Sequence, residues 1–190
     1  MEEKKYAVLI DGDNISSKYL DSILNEMTKY GIATYKRIYC DFTSQQSSKW
    51  RRLVRDSGIQ AMQQFANTVG KNATDSTLII DAMDILYTGN VDGFCIVSSD
   101  GDFTRLAIRL KESGMDVIGM GESKTPRSFR AACTVFTDLE ILYEAESEDD
   151  EISTKGKKPA VKHNVVKVSE IENVITVSYT HLRAHETRHD

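Results

Sequence analysis

The chain has 190 residues, 40% hydrophobic and 28% charged, which suits a soluble globular protein with room for one full domain and part of another. Its formal net charge of −5 excludes a broadly basic nucleic-acid coat, and residues 1–143 are nearly balanced, with 17 Lys and Arg against 19 Asp and Glu. Three scattered cysteines (Cys40, Cys95, Cys133) argue against a disulfide framework or zinc cluster, and without a signal-peptide pattern or an apolar run near ~18–20 residues no membrane segment is expected and a cytoplasmic setting is.

From Tyr6 to Leu142 strand-like and helix-like segments alternate. Residues 6–10 read as a buried strand. Leu20, Ile23, Leu24 and Met27 then recur at helical spacing, with Gly31 as the stop. Thr34–Tyr39 reads as a second strand. Ser47 or Ser48 is placed to cap a helix carrying Trp50, Leu53 and Val54, which Gly58 ends. Residues 59–65 follow as a short strand. Thr74 or Asp75 is placed to cap a helix that runs to about Gly89. Phe94–Val97 is the next strand, residues 103–113 a helix stopped by Gly114, and Val117–Met120 another strand. Pro126 opens a helix to residue 132. Val135-Phe136 is a last short strand, with Asp138 placed to cap a closing helix. Such alternation predicts an α/β fold, a three-layer Rossmann-like parallel sheet flanked by helices, and residues 6–10 and 94–97 are placed side by side at its centre because the acids that follow each of them must then meet.

After Tyr143 the composition changes. Residues 144–160 read as a charged linker, acidic over 144–151 and then Lys-rich. Residues 161–176 regain an apolar beat and read as the start of a second domain. Residues 177–190 hold three of the four histidines, show no apolar periodicity and resemble translated adapter read-through, so a non-native tail is expected there.

The chemistry concentrates beyond two strand ends. Asp11-Gly12-Asp13-Asn14 follows the first strand, and Ser98-Ser99-Asp100-Gly101-Asp102 follows the one at 94–97. Ligands of open parallel sheets bind in the crevice past the carboxyl ends of the strands, and acids gathered there repel one another unless a cation neutralises them. Asp75 joins as a third contributor from a helix start. Hard Mg²⁺ or Mn²⁺ suits an all-oxygen set, so Asp11, Asp75, Asp100 and Asp102 are the candidate catalytic and metal-binding residues. Asp13, Asn14, Lys71, Asp81, Ser98 and Ser99 are supporting candidates. Asn14 also suits a helix N-cap, as does Asp102. Asp81, six residues beyond Asp75, is turned about 240° away from it and cannot share its narrow face.

Cations flank this centre. Lys49, Arg51, Arg52 and Arg55 share one helix with Trp50, and Arg51 and Arg55 share a face. Lys124, Arg127 and Arg130 offer a second rim. These are candidate contacts for a nucleic-acid backbone. The plain alternative is a solvated helix face with Trp50 in the core.

The segments Leu9–Asn14, Lys71…Asp75…Asp81 and Val97–Phe103 together resemble the NYN domain, a PIN-like nuclease family that includes bacterial proteins of the LabA group. The resemblance covers roughly residues 5–142. It implies a PIN-like sheet and a Mg²⁺- or Mn²⁺-dependent ribonuclease, with Asp11, Asp75, Asp100 and Asp102 as its acids and Asn14 beside Asp11. Many bacterial relatives carry an OST-HTH/LOTUS domain after a linker, which implies that identity for residues 161–176. The expected activity is endonucleolytic cleavage of RNA, with single-stranded RNA as partner, and the sequence leaves a homo-oligomer open. Two other readings stay open at this point. Asp11 and Asp13 also match the acid pair of a haloacid-dehalogenase-like phosphatase, although Asn14-Ile15 replaces the expected Thr region. A nuclease-like fold that only binds RNA is the non-enzymatic reading.

Overall fold

The structure, a computed structural model, describes residues 3–45, 47–65 and 73–155. The chain divides into two compact units, residues 1–152 and 153–190. Within the first, β1 (Lys5–Asp11), β2 (Ile32–Cys40), β3 (Gln60–Gln63), β4 (Gly93–Val97), β5 (Asp116–Gly121) and β6 (Val135–Asp138) form one sheet in the order β3-β2-β1-β4-β5-β6. Every pairing is parallel. The helices are α1 (Leu20–Met27), α2 (Ser48–Ser57), α3 (Ala73–Thr88), α4 (Thr104–Glu112), α5 (Arg127–Ala132) and α6 (Leu139–Lys155). Short 3-10 turns at Ser17–Tyr19 and Gly101–Phe103 lead into α1 and α4.

The three layers follow from strand alternation, since successive side chains point to opposite faces. Val8 and Ile10 of β1 join Ile23 and Met27 of α1, Trp50 of α2 and Leu139 of α6 on one face. Ala7 and Leu9 join Leu78, Ala82 and Ile85 of α3, Leu106 and Leu110 of α4 and Phe129 of α5 on the other. Each fully buried Leu or Ile contributes about 1.5–3 kcal/mol by leaving water. β1 and β4 are buried on both faces, so they read as continuous apolar runs. They are also neighbours, with Tyr6 opposite Gly93 and Ile10 opposite Val97. At Gly93 an added Cβ would lie 2.6 Å from the Asp116 carbonyl oxygen, so the close strand approach requires glycine. The chain steps outward through β2 and β3 and returns beside β1 at β4, which opens the crevice at the joint carboxyl ends of β1 and β4.

Several local expectations change. α3 already includes Ala73, so Thr74 and Asp75 lie in its first turn rather than capping it. Asn14 caps no helix, because α1 begins at Leu20 after a 3-10 turn. The cap assigned to Asp102 belongs to Asp100, which accepts the Asp102 N–H at 2.9 Å. Gly58, with φ 62°, ends α2 in the left-handed conformation expected of it. The acidic run 144–151 continues α6 to Lys155, and residue 143 falls inside that helix. Residues 161–176 and 177–190, and Lys71, lie outside the described residues. The three cysteines are buried thiols, and burial pushes the Cys40 thiol up to about 12.

Candidate metal centre

Asp11 is the last residue of β1 and is fully buried. One of its carboxylate oxygens accepts the Ser98 hydroxyl at 2.7 Å and the Asn14 side-chain amide at 2.8 Å. The other accepts the Asn14 backbone N–H at 3.3 Å. Burial raises the Asp11 pKa, while these donors pull it back. Ser98 also accepts the Asp100 N–H at 3.0 Å, so one hydroxyl links the acid at the end of β1 to the backbone of the turn after β4.

Asp75, Asp100 and Asp102 each offer a carboxylate oxygen, and the three oxygens lie within 4.8 Å of one another. They come from the first turn of α3 and from the 3-10 turn after β4. Asp75 is buried, Asp100 half-buried and Asp102 exposed, so the group opens to solvent on one side. Burial, followed by the negative charges of Asp11, Asp100, Asp102 and Asp13, pushes the Asp75 carboxyl up to about 6. A hard cation fits this donor set, since all three ligands are anionic oxygens. Asp11 stands outside the group of three and acts on it through its charge and through Ser98.

The supporting candidates separate. Asp13 accepts the Thr74 hydroxyl at 2.7 Å and ties the turn after β1 to the start of α3. Ser99 accepts the Glu122 N–H at 3.0 Å, joining the ends of β4 and β5. Asp81 pairs with Arg37 and Tyr39 of β2, away from the carboxylate group. Trp50 is buried, which bears out the plain reading of that residue, and its indole N–H donates to the Gly12 carbonyl at 3.0 Å.

A groove of about 550 Å³ runs beside Asp13 and Asn14 and is lined further by Ser47, Lys49, Trp50 and Glu122. Lys49 is thus the cation of α2 placed beside the turn after β1. Arg51 donates to the Phe42 carbonyl at 2.6 Å, and Arg52 and Arg55 are exposed. On the second rim Lys124 pairs with Glu122 at 2.8 Å and Arg127 is exposed. Arg130 instead braces the carbonyls of Glu122, Ser123 and Thr125 and the Asp138 carboxylate, a structural use of its charge. Glu122 escaped the sequence reading, although it directly follows β5 as Asp11 ends β1, and a search for acids at every strand end finds it.

The sequence pattern of the NYN domain matches residues 5–140. The chain belongs to the NYN domain family. An uncharacterized protein of Methanocaldococcus jannaschii is 26% identical over 174 residues, 88% of this chain and 66% of that protein, so this NYN chain spans just under two thirds of that relative. The crystal structure of a protein of unknown function from Vibrio parahaemolyticus matches with a TM-score of 0.61 at 19% identity, covering 73% of this chain and 96% of that one. It supports the six-stranded α/β architecture. NYN domains form part of the PIN-like nuclease superfamily, and the carboxylate group of this one joins the turn after β4 to the first turn of α3.

Proposed function

We propose that this NYN domain is a metal-dependent endoribonuclease. The observation that carries the reading is the convergence of Asp75, Asp100 and Asp102 within 4.8 Å. These three would hold Mg²⁺ or Mn²⁺. When bound, such an ion neutralises charge on a phosphodiester and lowers the pKa of a water nucleophile. The protein's own residues supply the rest. Asp11 spreads negative charge beneath the centre and holds Ser98 and Asn14 in place. Asn14 and Lys49 line the groove beside the turn after β1, where an amide and an ammonium suit the phosphate oxygens of a single RNA strand. Lys124, Arg127, Arg51, Arg52 and Arg55 offer outer contacts to the same backbone.

Asp11 is a poor candidate for the phosphatase nucleophile, because it has no solvent-exposed surface and both its oxygens accept hydrogen bonds. Among the described residues no helix is long and apolar enough to cross a membrane, and a cytoplasmic site of action is part of this proposal.

The test is incubation of the protein with end-labelled single-stranded RNA and Mn²⁺ or Mg²⁺. Internal cleavage is expected, abolished by a chelator and reduced at least 100-fold by Asp100→Asn. RNA that binds and stays intact under every metal condition would instead favour the binding-only reading.

A further inference from the structure

Asp81 lies on the same helix as Asp75, yet its carboxylate is engaged elsewhere. One oxygen accepts the Arg37 guanidinium and the other the Tyr39 hydroxyl, both from β2. Arg37 is itself held, donating to Gln60 of β3 at 3.1 Å and lying 5.2 Å from the centre of the Tyr35 ring. Tyr39 is fully buried. It is also the strand partner of Asp11, and its carbonyl accepts the Gly12 N–H at 2.9 Å. Tyr39 therefore holds the end of β1 through its backbone and α3 through its side chain.

The apolar face of α3, with Leu78, Ala82 and Ile85, attracts the helix to the sheet without fixing where along its axis it sits. Hydrogen bonds depend on distance and angle, so two of them from rigid donors on β2 select one axial and rotational setting. Asp75 is about 9 Å up the axis from Asp81. A slide or roll of α3 by a fraction of a turn would part its carboxylate from Asp100 and Asp102. Taking the carboxylate group to be a metal centre, as proposed above, we propose that Asp81, with Tyr39 and Arg37, is a positioning residue for it. The three set α3 on the sheet so that Asp75 meets the two acids after β4.

The test measures Mn²⁺ binding itself by titration calorimetry, on the wild-type chain and on Tyr39→Phe, Asp81→Asn, Asp100→Asn and Met27→Ala. Met27 is a buried side chain of α1 on the opposite face of the sheet, so its truncation destabilises the fold without touching α3. Tyr39→Phe and Asp81→Asn are expected to weaken Mn²⁺ about tenfold while unfolding cooperatively. Met27→Ala is expected to lower Tm more than Tyr39→Phe does and to keep Mn²⁺ affinity within twofold of wild type. Tyr39→Phe loses only a hydroxyl, which keeps the test open if Asp81→Asn fails to fold. If Tyr39→Phe binds Mn²⁺ like wild type while Asp100→Asn does not bind, the positioning role is overturned and the metal centre stands. A common weakening that tracks Tm across Met27→Ala and Tyr39→Phe also overturns it. If wild type and Asp100→Asn titrate alike, the metal centre falls, and the positioning role falls with it.

Discussion

At Asp75 a carboxyl group is held among four other acids with little water around it, and its pKa rises from 3.8 to about 6. The folded, metal-free chain thus keeps a proton there that the unfolded chain has already released between those two values. Linkage gives the sign: this group's contribution to stability is present below about pH 4 and is lost as pH rises through about 6. Asp75→Asn should remove that loss and stabilise the metal-free protein by on the order of 1–3 kcal/mol at pH 7.5, measured by urea unfolding at a series of pH values in chelator. A variant curve parallel to wild type from pH 4 to 7.5 would contradict this. Asp11 behaves differently, because its neighbours depend on it. Asp11→Ala leaves the buried Ser98 hydroxyl without its acceptor, an orphan that costs about 1–3 kcal/mol, while the exposed Asn14 amide can turn to water. A clear fall in Tm is expected for Asp11→Ala and little change for Asp100→Asn, which separates a scaffold acid from a ligand acid by thermal denaturation alone.

At the scale of elements, the turn after β1 is held from two sides, by the Tyr39 carbonyl on the Gly12 N–H and by the Trp50 indole on the Gly12 carbonyl. Trp50→Phe keeps most of the apolar contact of α2 and deletes one bond, so it should cost about 1 kcal/mol in stability. Because the released turn carries Asp13 and Asn14, RNA cleavage should fall by more than that stability loss explains, a difference read by comparing rate with fraction folded. The alternation of elements was legible in the sequence, since apolar runs bounded by Gly and by acids mark doubly buried parallel strands, whereas the pairing of β1 with β4 followed only from the need for the acids after each to meet. The gathering of Asp75, Asp100 and Asp102 was legible for the same reason, as strand ends and a helix start share one crevice. What was not legible depends on side-chain direction and on partners distant in sequence. Nothing near Asp81 reports Arg37 and Tyr39 on another strand, whereas Ser98 was legible as a donor to a carboxylate at the strand ends, and it bonds Asp11. The exchange of the capping role between Asp100 and Asp102 turned on two residues of spacing, and the reach of α6 through the acidic run exceeded what composition suggested.

For the molecule as a whole, the strand order has a consequence in time. Tyr6 pairs with Gly93, so the two central strands meet only across 87 residues of chain. Loop closure of that length costs conformational entropy that local contacts do not offset, and such long-range parallel pairing is slow. The strands β1, β2 and β3 can assemble from the first third of the sequence, but β1 remains an open edge until β4 arrives. That edge is apolar and unprotected, a template for pairing with another chain during synthesis. The arrival of β4 closes the edge and brings Asp100 and Asp102 to Asp75 in the same event, so a chain still exposed to misassembly is one that has not yet gathered its carboxylates.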